Sequence, residues 1–150
     1  MTSLDASALA SIFVDDEHSP AVRRWLGARP PGIMVSTFAA AEFAAVVGRH
    51  VRMRHLGVGD GAGMLLLFDM WLSRDAETLE VEPEDHRVAA SFVRRFDLGL
   101  RAPDALHIAA CRRLGLSLLT FDRRQAAAAA ALGVACDPAG AMAGPAEPSA

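Results

Sequence analysis

The chain has 150 residues, 52% of them apolar, and a formal net charge of -3; this is enough hydrocarbon for one domain with a sizeable core and too little length for two. All 15 residues in the Lys and Arg class are Arg, which excludes Schiff-base chemistry, a phosphate-loop lysine and lysine-assisted phosphoryl transfer, while leaving a planar fork of donors suited to a polyanion. A pI near 5.9 argues against a generally basic nucleic-acid binder but not against a basic rim around an acidic pocket.

Residues 2–4 read as a short buried strand ending at Asp5, and ASALASIFV then places Leu9, Ile12 and Phe13 on one helix face. Ser19 caps a second helix with Pro20 in its first turn and Val22, Trp25 and Leu26 as its apolar stripe, until ARPPG stops it. A strand near 33–35 leads to Ser36 or Thr37 as the cap of a helix that runs through Glu42, Phe43, Val46 and Val47 to Arg54. Glycines over 57–63 interrupt the pattern. A helix over 61–74 follows, carrying Met64, Leu65, Leu67, Phe68 and Trp71, and TLEV at 78–81 alternates as a third strand.

Pro83 opens a helix to about Phe96, DLGLRA connects it to another beginning near Pro103, and Gly115 ends that one. Residues 117–120 read as a buried strand, Asp122 begins an Ala-rich helix, and GVAC at 133–136 reads as a last short strand. The reading is thus one domain over 1–136 and a flexible Pro/Ala/Gly-rich tail over 137–150. Strands alternating with helices imply a mainly parallel sheet covered on both faces, a three-layer α/β arrangement whose ligands gather at strand carboxyl ends. Cys111 and Cys136 have neither disulfide nor zinc spacing and are expected to be free thiols. No secretory signal or membrane-length apolar run is evident, so a cytoplasmic location is expected.

Asp5, Glu42, Asp104 and Asp122 stand in apolar company. Each singly has a local use: Asp5 and Asp122 as helix caps, and Asp104 beside a helix N-terminus. Glu42 is flanked by Phe38, Ala39, Ala41, Phe43, Ala45 and Val46, where a cap role does not apply. Carboxylates withdrawn from water need a counter-charge, and four of them without Cys or His partners suit Mg²⁺ or Mn²⁺, which bridge carboxylates to phosphate oxygens. Such an ion activates water and steadies the leaving oxygen of a phosphodiester.

LDASAL, the Glu of AAAEF, LRAPDALHIAA and LLTFDRR together resemble the PIN-domain pattern of VapC-type toxin ribonucleases, over residues 2 to about 135. The resemblance implies a PIN-like fold with strand order 3-2-1-4-5, metal-dependent cleavage of RNA, inhibition by a cognate antitoxin protein, and a homodimer. It makes Asp5, Glu42, Asp104 and Asp122 the catalytic and metal-holding acids, with Ser7 and Thr120 supporting them through their hydroxyls. Arg101, Arg123 and Arg124 flank the motifs and could grip RNA phosphates or form a solvated rim. His107, Arg112 and Arg113 are read as a satisfied second-layer or core histidine and two surface residues. Trp25, Leu26, Met64, Phe68 and Trp71 fit a core, or an antitoxin groove. A phosphoacceptor receiver would gather acids in the same way but resembles its kin in needing a lysine. A PIN-like module that binds RNA or protein without cutting is the remaining alternative.

Overall fold

The computed structural model describes residues 1–28 and 30–141. Four strands, β1 (Thr2–Leu4), β2 (Ile33–Ser36), β3 (Glu77–Leu79) and β4 (Ser117–Leu119), form one parallel sheet in the order β3-β2-β1-β4. The helices are α1 (Ala6–Phe13), α2 (Ser19–Gly27), α3 (Thr37–Arg52), α4 (Val58–Asp75), α5 (Pro83–Val93), α6 (Ala102–Leu114), α7 (Arg123–Ala131) and α8 (Pro138–Ala141). Because side chains alternate across a strand, neighbouring residues of β4 serve opposite layers. Leu118 packs with Ala89, Phe92, Ile108 and Ala129 beneath α5, α6 and α7. Leu119 joins Leu4, Leu9, Val22, Val35 and Phe43 beneath the remaining long helices. Phe13, Phe43 and Phe68 lock α1, α3 and α4 together, with ring centroids 5.3 Å apart for Phe13 and Phe43 and 4.7 Å for Phe43 and Phe68.

Trp25, Leu26, Met64 and Trp71 pack against this second core, and Phe68 is buried within it. The core reading of these residues therefore fits their placement.

Several boundaries depart from the sequence reading for local reasons. The glycines at 59, 61 and 63 do not break the chain; they lie inside α4, which starts at Val58 with Gly57 as its cap. Gly61 is buried where a Cβ would meet Val51 Cγ2 at 2.7 Å, so the missing side chain lets α3 and α4 approach. Strand β3 ends at Leu79 rather than 81, and the Glu80 carbonyl instead accepts from the Arg113 guanidinium. Helix α5 stops at Val93, and Phe96–Leu98 form a separate 3-10 turn closed by Gly99 at φ +60°, a conformation that favours glycine. The expected fifth strand is reduced to a parallel bridge between Leu118 and Cys136. It occupies the predicted place beside β4 but cannot extend, because the chain turns into α8 at Pro138. Residues 137–141 belong to the packed body and not to a tail. Asp137 accepts from the Trp25 indole N–H at 2.9 Å, and Ala139 is buried in the second core; the remainder of the expected tail, 142–150, lies outside the described residues.

Arg113 is not a plain surface residue. Its guanidinium holds both oxygens of the buried Asp85 at 2.8 Å and reaches Glu82 at 3.2 Å. The two cysteines are free thiols. Burial pushes the Cys111 thiol up to about 12, too high for thiolate chemistry at neutral pH. No helix among the described residues is long and apolar enough to cross a membrane.

Candidate active site

A parallel sheet delivers its strand ends to one edge, where β1 leads into Asp5 and β4 leads toward Asp122. Strands β1 and β4 are neighbours with Leu4 opposite Leu119, so Asp5 and Thr120 leave the sheet side by side. The Asp5 N–H donates to the Leu119 carbonyl at 3.2 Å. Asp5 Oδ1 accepts from the Ser7 hydroxyl at 2.7 Å and from the Ala8 N–H at 2.9 Å, which makes it the cap of α1 as well as a site residue. Ser7 also accepts from the Phe121 N–H at 3.1 Å, tying the β1 motif to the β4 motif. Asp5 is 4% exposed. Burial raises its carboxyl above the usual 3.8, against the opposing pull of the Thr120 and Ser7 hydroxyls, the Ala8 amide and the charge of His107.

Asp122 caps α7, with Oδ1 accepting from the amides of Arg124 at 2.8 Å and Gln125 at 3.1 Å. Asp104 lies in the first turn of α6, where the helix dipole favours an acid. These two are brought together by one cation: the Arg101 guanidinium stands 3.4 Å from Asp104 and 3.8 Å from Asp122. Glu42, one turn into α3, is held differently. His107 Nε2 lies 2.7 Å from its Oε2, and Phe38 stacks obliquely on that imidazole, ring centroids 5.5 Å apart.

Direct contacts thus join Glu42 to His107 and, through Arg101, Asp104 to Asp122, while Ser7 ties Asp5 to the turn after β4. Among the described residues no three Asp, Glu, His or Cys side chains are grouped so that they could hold a metal ion together. The donor chemistry nevertheless fits a hard divalent cation. The donors are carboxylate oxygens; one belongs to the buried Asp5, which no cationic side chain contacts among the described residues, and Mg²⁺ typically needs only one or two carboxylates, keeping waters for its other positions.

The supporting hydroxyls lie where the sequence places them. Thr120 Oγ1 donates to Gln125 Oε1 at 2.9 Å and accepts from the Asp122 N–H at 3.1 Å. Gln125, 2% exposed, is a residue the sequence reading missed; its amide nitrogen also reaches the Asp104 carbonyl at 3.5 Å. The signal available was a single amide in an alanine run, three positions after a capping Asp. His107 is the satisfied, buried histidine expected, but its partner Glu42 was not foreseen. Arg123 and Arg124 are exposed and make no side-chain ion pair among the described residues, whereas Arg101 spends its charge on the acids.

An α/β sheet with its acids at the carboxyl edge defines a class, and the family follows from comparison. The chain belongs to the PIN domain family, which it matches over residues 3–131. Ribonuclease VapC46 of Mycobacterium tuberculosis is 29% identical over 135 residues, spanning 88% of this chain and 92% of that protein. Among solved structures, VapC20 of Mycobacterium tuberculosis, described as a sarcin-ricin loop cleaving toxin, superposes with a TM-score of 0.69 at 21% identity, covering 85% of this chain and 95% of its own. A toxin-antitoxin complex from Klebsiella pneumoniae gives a TM-score of 0.59 at 18% identity, covering 81% of this chain and 87% of that one.

Proposed function

We propose that the chain is a divalent-metal-dependent endoribonuclease, the toxin of a VapBC-type toxin-antitoxin pair, with RNA as substrate, a cognate antitoxin as inhibitor and a second copy of itself as dimer partner. The support for this reading is that Asp5 and Asp122 follow the neighbouring parallel strands β1 and β4, while Arg101 ties Asp104 to Asp122 and His107 of the same helix holds Glu42, in a PIN-domain chain with a relative named a ribonuclease.

In this reading Asp5, Asp104, Asp122 and Glu42 hold Mg²⁺ or Mn²⁺. The bound ion supplies Lewis acidity toward the phosphate and a lowered pKa for attacking water. The chain's own residues do the rest. Ser7 and the Ala8 amide fix Asp5 Oδ1, so that carboxylate meets its ligand without reorganising. Thr120 and Gln125 brace the turn that presents Asp122. His107 engages one oxygen of Glu42, leaving Oε1 without a hydrogen bond from the described residues and free to receive a proton from water. Arg123 and Arg124 stand exposed at the start of α7, able to meet RNA phosphates as they pass.

Incubation of purified protein with mixed cellular RNA in Mg²⁺, Mn²⁺ or excess chelator tests the proposal. Cleavage is expected with either metal, none with chelator, and a loss of about 100-fold or more in Asp5→Asn or Asp104→Asn, as for removal of a principal electrostatic group. Metal-independent cleavage, or full activity in both variants, would overturn it. The non-catalytic module draws its support from Arg101, which already neutralises two of the acids; tight RNA binding with no turnover in either metal would favour it.

A further inference from the structure

Arginine at the start of α6 is out of place as a helix residue. Arg101 is the N-cap of α6 and offers no side-chain cap; a cation there opposes the positive end of the helix dipole, which favours acids. Its location is instead explained by what it touches. One guanidinium lies within 4 Å of both Asp104 and Asp122, whereas its neighbours Arg123 and Arg124 pair with neither acid among the described residues. The Arg101 side chain is 74% exposed, against 17% for Asp104 and 36% for Asp122. Each contact is therefore screened and weak, and the long side chain can leave into water at little cost.

We propose that Arg101 is an internal counter-cation that competes with the divalent metal for Asp104 and Asp122. This inference rests on the proposed metal-dependent reading of the same site and assigns a role to a residue outside the acidic set. With no metal bound, the guanidinium relieves the repulsion between the two carboxylates. A doubly charged ion takes the same carboxylates more strongly, and Arg101 is released to solvent. The chain thereby sets its own threshold for metal: affinity is lower than the acids alone would give, and the unloaded fold is more stable.

The test is a calorimetric Mn²⁺ titration of wild type, Arg101→Gln and Arg123→Gln, with melting measured in chelator and in Mn²⁺. Arg123→Gln removes the same charge beside Asp122 without removing a contact. Arg101→Gln is expected to bind Mn²⁺ about fivefold tighter, the scale set by two weak exposed pairs, while Arg123→Gln changes affinity by less than about twofold, the screened effect of a charge without contact. In chelator Arg101→Gln should melt about 2–4 °C lower than wild type, and Mn²⁺ should close that gap. Equal Mn²⁺ affinity in wild type and both variants, or equal tightening in both, overturns the role of Arg101. Absence of Mn²⁺ binding in all three overturns the metal reading itself and this inference with it.

Discussion

Asp5 carries a conflict between stability and chemistry in one side chain. Its burial holds the folded carboxyl above 3.8, so over the interval just above that value the folded chain keeps a proton that the unfolded chain has released. Stability therefore falls as pH rises through that interval, and the deficit persists at neutral pH. Asn keeps the oxygen that caps α1 and removes the charge. Asp5→Asn in chelator is expected to melt higher than wild type at pH 7, by the equivalent of about 1 kcal/mol, with the advantage shrinking below pH 3.8, while cleavage is lost. Thermal scans across pH read this directly, and a variant less stable than wild type at pH 7 would refute the account. Asp5, Glu42, Asp104 and Asp122 stand out in the sequence because each is conspicuous against its neighbours. Gln125 and the pairing of His107 with Glu42 were not legible there, because a lone amide or imidazole beside apolar residues reads as ordinary until the fold shows what faces it.

At the scale of elements, the joint between α5 and α6 depends on a charge clamp. Burial pushes the Asp85 carboxyl up, but the Arg113 hydrogen bonds, the Glu82 amide and the guanidinium charge outweigh it and hold the group below 3.8. Its contribution is present above 3.8 and is lost as pH falls through the depressed folded value. Arg113→Leu strands a carboxylate that is 1% exposed and is expected to cost about 3 kcal/mol at pH 7. The penalty should diminish in acid as Asp85 takes up a proton; chemical denaturation at pH 7 and pH 3 measures both values. Periodicity located the helices on either side of this joint but not the clamp, since Asp85 and Arg113 are 28 positions apart and each resembles an exposed charge. For the same reason strand β3 and the end of α5 were misjudged by two or three residues: Arg113 and Gly99 set those limits from outside the segments they end.

At the scale of the molecule, the layers and strand order followed from alternation and from the family pattern, whereas the last bridge and α8 did not. Pro, Ala and Gly after 137 look like a tail, and only tertiary contact makes α8 part of the body. Gly140 lies against the β4 edge so closely that a Cβ would fall 2.2 Å from the Thr120 carbonyl oxygen, a backbone atom that cannot yield. Gly140→Ala is expected to undock α8, destabilise the protein by about 1–3 kcal/mol as overpacking does, and weaken cleavage through the turn that carries Asp122. Denaturation and RNA turnover should decline together; unchanged values for both would show that α8 is dispensable.

The central position of β1 gives this architecture a temporal meaning. Thr2–Leu4 must pair on one side with β2 and on the other with β4 at Ser117–Leu119, so the sheet edge cannot close around Asp5 until translation has passed almost the whole described chain. A ribosome halted earlier carries a polypeptide in which Asp5 lacks its β4 neighbour. Under the proposed function, biosynthesis would thus withhold cleavage until β4 exists.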